Sequence, residues 1–192
     1  WSSDVCSSDL ATGKIVVGGQ FGLYQTTVLN RIAQLNADGS VDTTFNSACT
    51  ASCGFNNTVR AFAIASNGKI TVGGDFASYN RSAAGRYALL NADGSLDGTP
   101  LADCQADCGF DARVVALAIQ SDGKILAGGN FTAYNQQRYA QYLTRLNSTG
   151  AADTTFNSAC STSCGPNNSV NALALQPDGK VLIGGAFSSY NG

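Results

Sequence analysis

The chain has 192 residues, of which 12% are charged, and it contains no histidine, methionine or glutamate. No apolar run reaches the roughly 20 residues that a membrane-spanning helix requires. The formal net charge is −2, and the 11 lysines and arginines are scattered rather than gathered into a basic stripe. Composition and charge therefore argue against membrane insertion and against nucleic-acid binding.

The first ten residues, 1–10, do not share the pattern of the rest of the chain. Their sequence, WSSDVCSSDL, resembles a translated sequencing adapter of the kind found in assembled metagenomic sequences, and we treat it as a non-native segment. The remaining residues, 11–192, hold 11 basic residues and 11 aspartates, so their net charge is zero. The acidic balance of the whole chain therefore predicts no charged partner.

A segment built around Asp122-Gly123-Lys124 recurs four times across 11–192. Each copy holds a turn, a Gly-Lys pair, a short apolar strand, two glycines and an aromatic residue. The turn glycines are Gly13, Gly68, Gly123 and Gly179, which are 55, 55 and 56 residues apart. A fixed period of this length indicates tandem repeats of one supersecondary unit.

Each repeat is predicted to form four β-strands. In the second repeat the first strand covers 59–64, and its apolar side chains on both faces predict that both faces are covered. Asn67-Gly68 is a hairpin turn, and the second strand, 70–72, ends at a glycine pair that marks a bend or a close backbone approach. A third strand is predicted over 86–90, and a short fourth strand lies near 41–45 of the first repeat.

Four strands with two apolar faces are typical of a β-propeller blade packed between neighbouring blades. We predict an all-β fold, a partial β-propeller of about three and a third four-stranded blades of about 55 residues each. Since a propeller has at least about four blades, 11–192 is expected to be an open fragment that needs further repeats to close. The alternative is a β-trefoil, which closes with three four-stranded units.

Two recurring blocks resemble a known repeat family. They are 122–125 with Gly128, Gly129 and Phe131, and the block 36–45 with the sequence NADGSVDTTF. Together they resemble the delta-60 repeat, a β-propeller domain of unknown function, over essentially all of 11–192. The resemblance implies a bacterial, secreted or surface-exposed protein with no established activity. Pro100 and Thr149 depart from the pattern, because they replace a phenylalanine and the turn aspartate.

Six cysteines form three C-x-x-x-C pairs in the same loop of successive repeats. The pairs are Cys49 and Cys53, Cys104 and Cys108, and Cys160 and Cys164. Zinc is the alternative, but each loop offers only two thiolates and the chain has no histidine. The even count predicts one disulfide in each loop, worth about 2 kcal/mol on the chain-entropy model. Disulfides indicate an oxidising location, extracellular or at the cell surface.

Three aspartates in the second cysteine loop are a candidate metal site. They are Asp103, Asp107 and Asp111. Carboxylates on a disulfide-closed loop suit Ca²⁺, and no other cofactor is predicted. The alternative is a solvated polar loop, because a hard cation requires about 6–8 oxygen ligands. The block at Asp38-Gly39 lacks the spacing of an EF-hand and is interpreted as a turn.

The Phe-x-x-Tyr-Asn segments are a candidate ligand site. Tyr79, Asn80, Tyr134 and Asn135 would form a glycan-stacking surface, whereas their recurrence favours buried rings with the tyrosine hydroxyl bonded to the backbone. Asp75 stands apart, since its counterparts in the other repeats are Gln, Asn and Ala.

The sequence predicts a non-catalytic, secreted or cell-surface β-propeller module with a structural or interaction role. Its expected partner is an unknown protein or glycan. Because the histidine and glutamate that serve most acid–base catalysis are missing, no catalytic residue is predicted. Two alternatives stay open: a lectin-like glycan-binding propeller, and a fragment of a propeller enzyme, a lyase or hydrolase, with its catalytic residues in further repeats.

Overall fold

The computed structural model describes residues 6–9, 13–24, 26–98, 108–138, 141–158 and 164–191. Within these ranges the regular structure is entirely β. The strands are β1 (Cys6–Asp9), β2 (Ile15–Gly18), β3 (Leu23–Tyr24), β4 (Thr27–Val28), β5 (Ile32–Leu35), β6 (Val59–Ile64), β7 (Ile70–Gly74), β8 (Ser78–Tyr79), β9 (Ser82–Ala83), β10 (Tyr87–Leu90), β11 (Val114–Ile119), β12 (Ile125–Gly129), β13 (Leu143–Leu146), β14 (Val170–Leu175) and β15 (Val181–Gly185). None of the described residues lies in a helix long and apolar enough to cross a membrane.

The strands form four successive antiparallel sheets. The strand order is β1-β2-β5 in the first sheet, β6-β7-β10 in the second and β11-β12-β13 in the third. The fourth sheet contains β14 and β15, and two small ribbons, β3-β4 and β8-β9, follow the second strands of the first two sheets. Each sheet therefore uses strands that are close in sequence, and one repeat builds one sheet.

The first two strands of a sheet are joined by the predicted hairpin turns. Gly68, Gly123 and Gly179 have φ angles of 81°, 81° and 83°, a left-handed conformation that glycine adopts without steric cost. The turn aspartates and asparagine add a local bond: Asp122 Oδ1, for example, accepts the backbone N–H of Lys124 at 3.1 Å. This turn chemistry sets the register of each hairpin.

A β-bulge interrupts the first strand of the second, third and fourth sheets. These strands are β6, β11 and β14, and we call the first strand of each sheet its inner strand. The register shifts lie at 59–61, 114–116 and 170–172. The residues inside the bulges are Arg60, Val115 and Asn171. Because a bulged residue takes no regular part in the ladder, each of these three sheets has one position at which the side chain varies without a change of register.

The inner strands pack the sheets against one another. β6 lies against β1 and β11, and β11 lies against β14. Among the described residues, each sheet contacts the next sheet along the chain, and the resulting arc is not closed into a ring. A trefoil would instead combine strands of different repeats in one barrel. The structure therefore confirms the partial β-propeller, and the trefoil alternative is wrong.

The hydrophobic core repeats with the sheets. Phe55 stacks on Phe76, with 4.1 Å between ring centroids, and Phe110 stacks on Phe131 at 4.3 Å. All four rings are 1% exposed or less. Tilted aromatic pairs at this distance add stabilisation beyond the area they bury, so the recurring phenylalanine of the Phe-x-x-Tyr segment is a core residue, as its recurrence predicts.

The fourth strand of each repeat is much shorter than predicted. It is reduced to one isolated bridge in each of the first three repeats: Leu35 with Val41, Leu90 with Leu96, and Leu146 with Ala152. In the first repeat Asp42 Oδ1 accepts both the N–H and the hydroxyl of Thr44, a local turn that replaces further bonds of the ladder. The prediction of four-stranded blades is therefore corrected to three strands and a bridge.

Part of the adapter-like segment 1–10 is placed in the first sheet. Cys6–Asp9 pairs with Ile15–Gly18 in an antiparallel register, Cys6 opposite Gly18 and Asp9 opposite Ile15. Our exclusion of this segment from the fold did not anticipate the strand. The physical reason is that an open strand edge offers unpaired N–H and C=O groups, and pairing with them requires only a backbone.

Candidate functional site

The tyrosines of the predicted ligand site are core residues. Tyr79 is 0% exposed and Tyr134 is 3% exposed. Their hydroxyls donate to the carbonyl oxygens of Gly94 at 2.5 Å and Gly150 at 2.8 Å. Burial raises the pKa of both phenols, so they stay neutral donors. A buried ring presents no face to a ligand, and this corrects the prediction that Tyr79 and Tyr134 form a stacking surface.

The asparagines that follow these tyrosines hold the loop between repeats. The side-chain oxygen of Asn80 accepts the N–H of Gly54 at 2.7 Å, and Asn135 accepts the N–H of Gly109 at the same distance. Asn80 also exchanges two amide hydrogen bonds with Asn46. These contacts give Asn80 and Asn135 a structural role in joining one repeat to the next, and their contact with a ligand stays a prediction.

The cysteine loops contain disulfides. Cys49 and Cys53 are bonded, with 5.6 Å between their Cα atoms. Cys108 and Cys164 are also disulfide-bonded, whereas Cys104 and Cys160 lie outside the described residues. All four loop cysteines that the structure describes are therefore oxidised, and a zinc site would need them as free thiolates.

Asp111 is the only member of the candidate calcium site within the described ranges, because Asp103 and Asp107 lie outside them. Its carboxylate accepts three hydrogen bonds, from the N–H and the hydroxyl of Thr132 and from the N–H of Ala133. Burial opposes its charge, but these bonds outweigh burial and lower its pKa. The described part of the chain contains no group of three metal-ligating side chains.

Asp111 has counterparts in other repeats, which the sequence analysis missed. Asn56 accepts the N–H groups of Ala77 and Ser78 in the same geometry. Asn167 does so with Ser188 and Ser189. The position therefore braces the loop after the glycine pair, and an aspartate or an asparagine serves equally. The calcium site remains a prediction that now depends on Asp103 and Asp107.

The sequence analysis also missed a series of ion pairs, one in each of the first three repeats. In the first three repeats the turn lysine reaches an aspartate beyond the third strand of its own repeat, and the pairs are Lys14 with Asp42, Lys69 with Asp97, and Lys124 with Asp153. The aspartate side chains are only 6%, 12% and 6% exposed. The available signal was the recurrence of both residues in each repeat at almost the same separation. These lysines and aspartates stabilise the blades and leave little charge for a ligand.

Three charged residues that do not recur in the other repeats meet at one place. Arg60 binds both carboxylate oxygens of Asp75, with Nε at 2.9 Å and Nη2 at 2.6 Å. Arg113, from the start of the next inner strand, lies 3.9 Å from the same carboxylate and is 53% exposed. We call these three residues the arginine cluster. It carries a net charge of +1 and lies at the end of the sheets where the inner strands begin.

The bulge explains how the arginine cluster forms. Arg60 is the bulged residue of β6, so its side chain is directed out of the regular alternation. Asp75 follows the glycine pair that ends β7, and its N–H donates to Thr58 across the sheet. The sequence singled out Asp75 as the exception among the repeats, but the spacing gave no sign that two arginines of different repeats would reach it.

Comparisons with known proteins agree with this architecture. A protein-family model described as "Domain of unknown function (DUF5122) beta-propeller" matches residues 10–45, 65–99, 120–156 and 176–192, more than half of the chain. No curated protein sequence matches significantly.

Solved structures with a similar fold include the WD40 β-propeller domain of Doa1. It has 14% sequence identity and a TM-score of 0.53, over 94% of this chain and 46% of that chain. The extracellular domain of the putative hybrid two-component system BT4673 from B. thetaiotaomicron has 19% identity and a TM-score of 0.50, over 95% of this chain and 19% of that chain. The present chain therefore spans less than half of either protein, and the likeness shows the propeller fold.

Proposed function

Because the chain belongs to the DUF5122 β-propeller family, we propose that it is a non-catalytic, extracellular module with a structural or interaction role. The observation that carries the proposal is the use of the recurring polar side chains. Tyr134, Asn135 and Asp153, like their counterparts, are engaged in bonds within the scaffold. Contacts with a partner then fall to residues that differ between repeats, and those lie on loops and bulges.

The disulfides support an extracellular location. A bond such as Cys49–Cys53 persists in oxidising compartments and is rare where thiols are kept reduced. The fold likeness to a domain described as extracellular agrees with this location. A module held outside the cell meets polymers and surface proteins, which are the partners that an interaction role requires.

The arginine cluster is the contact site that we propose. Two guanidinium groups share one carboxylate, so the cluster keeps a donor surface and a net positive charge. Guanidinium groups bind carboxylates through paired, charge-assisted hydrogen bonds. The cluster therefore suits a partner that carries carboxylates, such as an acidic polysaccharide or an acidic protein surface.

Binding to a carboxylate polymer tests the contact site. The protein should bind polygalacturonate more tightly than neutral dextran in isothermal titration at low salt, and the binding should weaken as salt screens the charges. The double variant Arg60→Ala/Arg113→Ala should lose about tenfold in affinity. Lys180→Ala is the matched control, because Lys180 is an exposed cation distant in sequence from the cluster. Equal binding of both polymers, or full binding by the double variant, would contradict the site.

The oxidation state of the cysteines tests the location. After secretion, mass spectrometry without reduction should find each C-x-x-x-C pair linked, with the loss of two hydrogens in each loop. Free thiols at Cys49 and Cys53 would contradict an extracellular location, and so would stoichiometric zinc.

A further inference from the structure

A cleft lies between the second and third sheets, at the end where their hairpin turns stand side by side. Its volume is about 320 Å³. The turn of the second sheet supplies Ser66 and Lys69 to one wall, and the turn of the third sheet supplies Gln120 and Ser121 to the other. We call this space the turn cleft. The arginine cluster lies where the inner strands begin and the turn cleft lies where they end, so the two sites are separated by the length of a strand.

The base of the turn cleft differs from the matching positions of the other repeats. Thr71 and Leu89 lie opposite each other in β7 and β10, and both line the cleft. Thr71 stands where the other repeats have Val16, Leu126 and Leu182, and Leu89 stands where the first and third repeats have glutamine and arginine. In the third repeat both positions hold longer side chains, so Thr71 and Leu89 leave more space between the sheets. This space is a property of one pair of repeats and not of the repeat pattern.

Two buried polar atoms near the turn cleft have no hydrogen-bond partner among the described residues. One is Oε1 of Gln120, and the other is the hydroxyl oxygen of Tyr87. Tyr87 lies on the same face of the second sheet as Thr71, and it replaces an isoleucine and a leucine of the first and third repeats. Since folded proteins leave few buried polar groups unpaired, each exception calls for a cause. A site that pairs its polar groups with a ligand is one such cause.

The charge and surface of the turn cleft restrict the ligand. Lys69 is the one charged side chain among the described residues that line it, and its Nζ is bound to the carboxylate of Asp97. The base is apolar, with Leu89, Ile119 and Ile125, while serine and amide groups form the walls. The volume is near the lower limit of small-molecule sites, which span roughly 300–1,000 Å³. A fitting ligand is therefore neutral and small, with one apolar surface and several hydroxyl groups.

We propose that the turn cleft binds one monosaccharide unit of a neutral sugar. A sugar ring carries C–H groups on its faces and hydroxyls at its edge, which matches an apolar base between polar walls. The C–H face would cover Leu89 and Ile125, and a hydroxyl would donate to Gln120. Because the last torsion of a glutamine side chain is soft, the amide of Gln120 can turn to meet that hydroxyl. This site goes beyond the carboxylate contact proposed above and uses different residues.

Other ligands fit the turn cleft less well. An acidic sugar would find Lys69 already paired with Asp97, and an apolar ligand would leave Gln120 buried without a partner. A long polymer offers the cleft only its chain ends, since a volume at this limit holds about one unit. The comparison of polymers at the arginine cluster is therefore not disturbed by binding in the turn cleft.

Titration with single sugars tests the proposal. The probes are the neutral methyl glycosides of glucose, galactose and mannose, and the measurement is the amide spectrum of the labelled protein. At least one probe should shift the amides of 64–69 and 119–123, with a dissociation constant of roughly millimolar order. Glycerol, which has hydroxyls but no ring, should not shift them. No shift with any of the three glycosides, or an equal shift with glycerol, would overturn the proposal.

Two variants connect the binding to the turn cleft. Gln120→Ala should weaken the binding of the sugar by about tenfold without lowering the melting temperature, because it removes a buried group that has no partner among the described residues. Gln176→Ala is the matched control, since Gln176 has the same turn position in the fourth repeat. Thr71→Leu introduces the residue of the third repeat and should abolish binding by filling the base. If Thr71→Leu does not fold, Gln120→Ala still decides: equal binding by Gln120→Ala and Gln176→Ala would overturn the proposal.

A crossed comparison separates this site from the arginine cluster. Arg60→Ala/Arg113→Ala should keep its binding of the sugar, and Gln120→Ala should keep its binding of polygalacturonate. Loss of sugar binding in the double arginine variant would overturn the turn cleft as the site, because the sugar would then lie at the arginine cluster. Failure of polygalacturonate to bind would contradict the arginine cluster alone and would leave the sugar titration unaffected.

Discussion

The third and fourth sheets carry nearly the same sequence but differ sharply in burial. β12 is buried at all five positions, whereas β15 has no fully buried residue. The cause is the neighbour: Val170 and its strand cover β12, and no described residue covers Gly184 in the same way. Local sequence thus determines where a strand forms, while the following repeat supplies most of its burial. Repeat proteins in general derive stability from such junctions.

The largest expected difference concerns the phenylalanine after the glycine pair. Phe131 is fully buried against Phe110, whereas its counterpart Phe187 is only half-buried and the residue matching Phe110 is Pro166. Phe131→Ala should lower the free energy of unfolding by about 3–5 kcal/mol. Phe187→Ala should cost less than half of that. Urea denaturation measures both, and equal losses would show that the two sheets are equally packed.

The first glycines of the pairs that end β12 and β15, Gly128 and Gly184, should differ next. Gly128→Ala forces a methyl group into the space of Val170 and should destabilise the protein by about 1–3 kcal/mol. A methyl group at Gly184 would meet nothing closer than the Cβ of Ala172 at 3.9 Å, so the melting temperature of Gly184→Ala should match that of the wild type. Neither glycine has a positive φ that alanine would strain. A similar loss for both variants would show that the two glycines are equally crowded.

The ion pairs of the third and fourth repeats should also differ in how much they stabilise the fold as pH changes. Asp153 accepts bonds from Thr155, Lys124 and Arg145, and the Thr155 bond together with the two cations holds its pKa well below its usual range despite burial. A carboxylate with a lowered pKa stabilises the fold above its unfolded pKa of about 3.9, and that stability is lost as pH falls toward the folded pKa.

Asp153→Asn should therefore cost about 1–2 kcal/mol at pH 7, and the difference from the wild type should shrink below about pH 4. Asp178→Asn, in the exposed pair with Lys180, should have little effect at either pH. Thermal denaturation from pH 3 to pH 7 measures both variants. A constant difference for Asp153→Asn across this range would contradict the linkage.

The smallest expected effect concerns the tyrosine hydroxyls. Tyr134→Phe removes a buried donor from Gly150 and should cost about 0.5–1.5 kcal/mol. The hydroxyl of Tyr190 donates instead to Asn157 at an exposed position. Tyr190→Phe should therefore be almost neutral in the same denaturation experiment, and a loss equal to that of Tyr134→Phe would mean that Tyr190 is buried in solution.

Features encoded within a few neighbouring residues were predictable from sequence. The Asn67-Gly68 turn and the flanking strands follow from turn chemistry and apolar pattern, and the glycine pair was expected to mark a close approach. The spacing of Cys49 and Cys53 indicated their disulfide. Each of these signals lies within about twenty residues, so it needs no knowledge of how the repeats pack.

Features that depend on contacts between distant segments were not predictable in this way. Lys14 and Asp42 are 28 residues apart, and their pairing depends on the order of strands within the sheet. Arg113 reaches Asp75 only because neighbouring inner strands lie side by side. The burial of Tyr79 likewise follows from the turn at Gly94, which closes over it. A single sequence shows that such residues recur, but not which distant partner each one meets.

The Cys49–Cys53 bond spans a sequence separation of only four residues. It closes a ring inside one loop and joins no sheet to another, so it places no covalent limit on how far a repeat can be drawn out. Under mechanical load, a ruptured repeat of 55 residues would extend to nearly its whole contour length, roughly 190 Å at about 3.4 Å per residue. A chain of such repeats would therefore lengthen in steps of one blade, with its loop crosslinks intact.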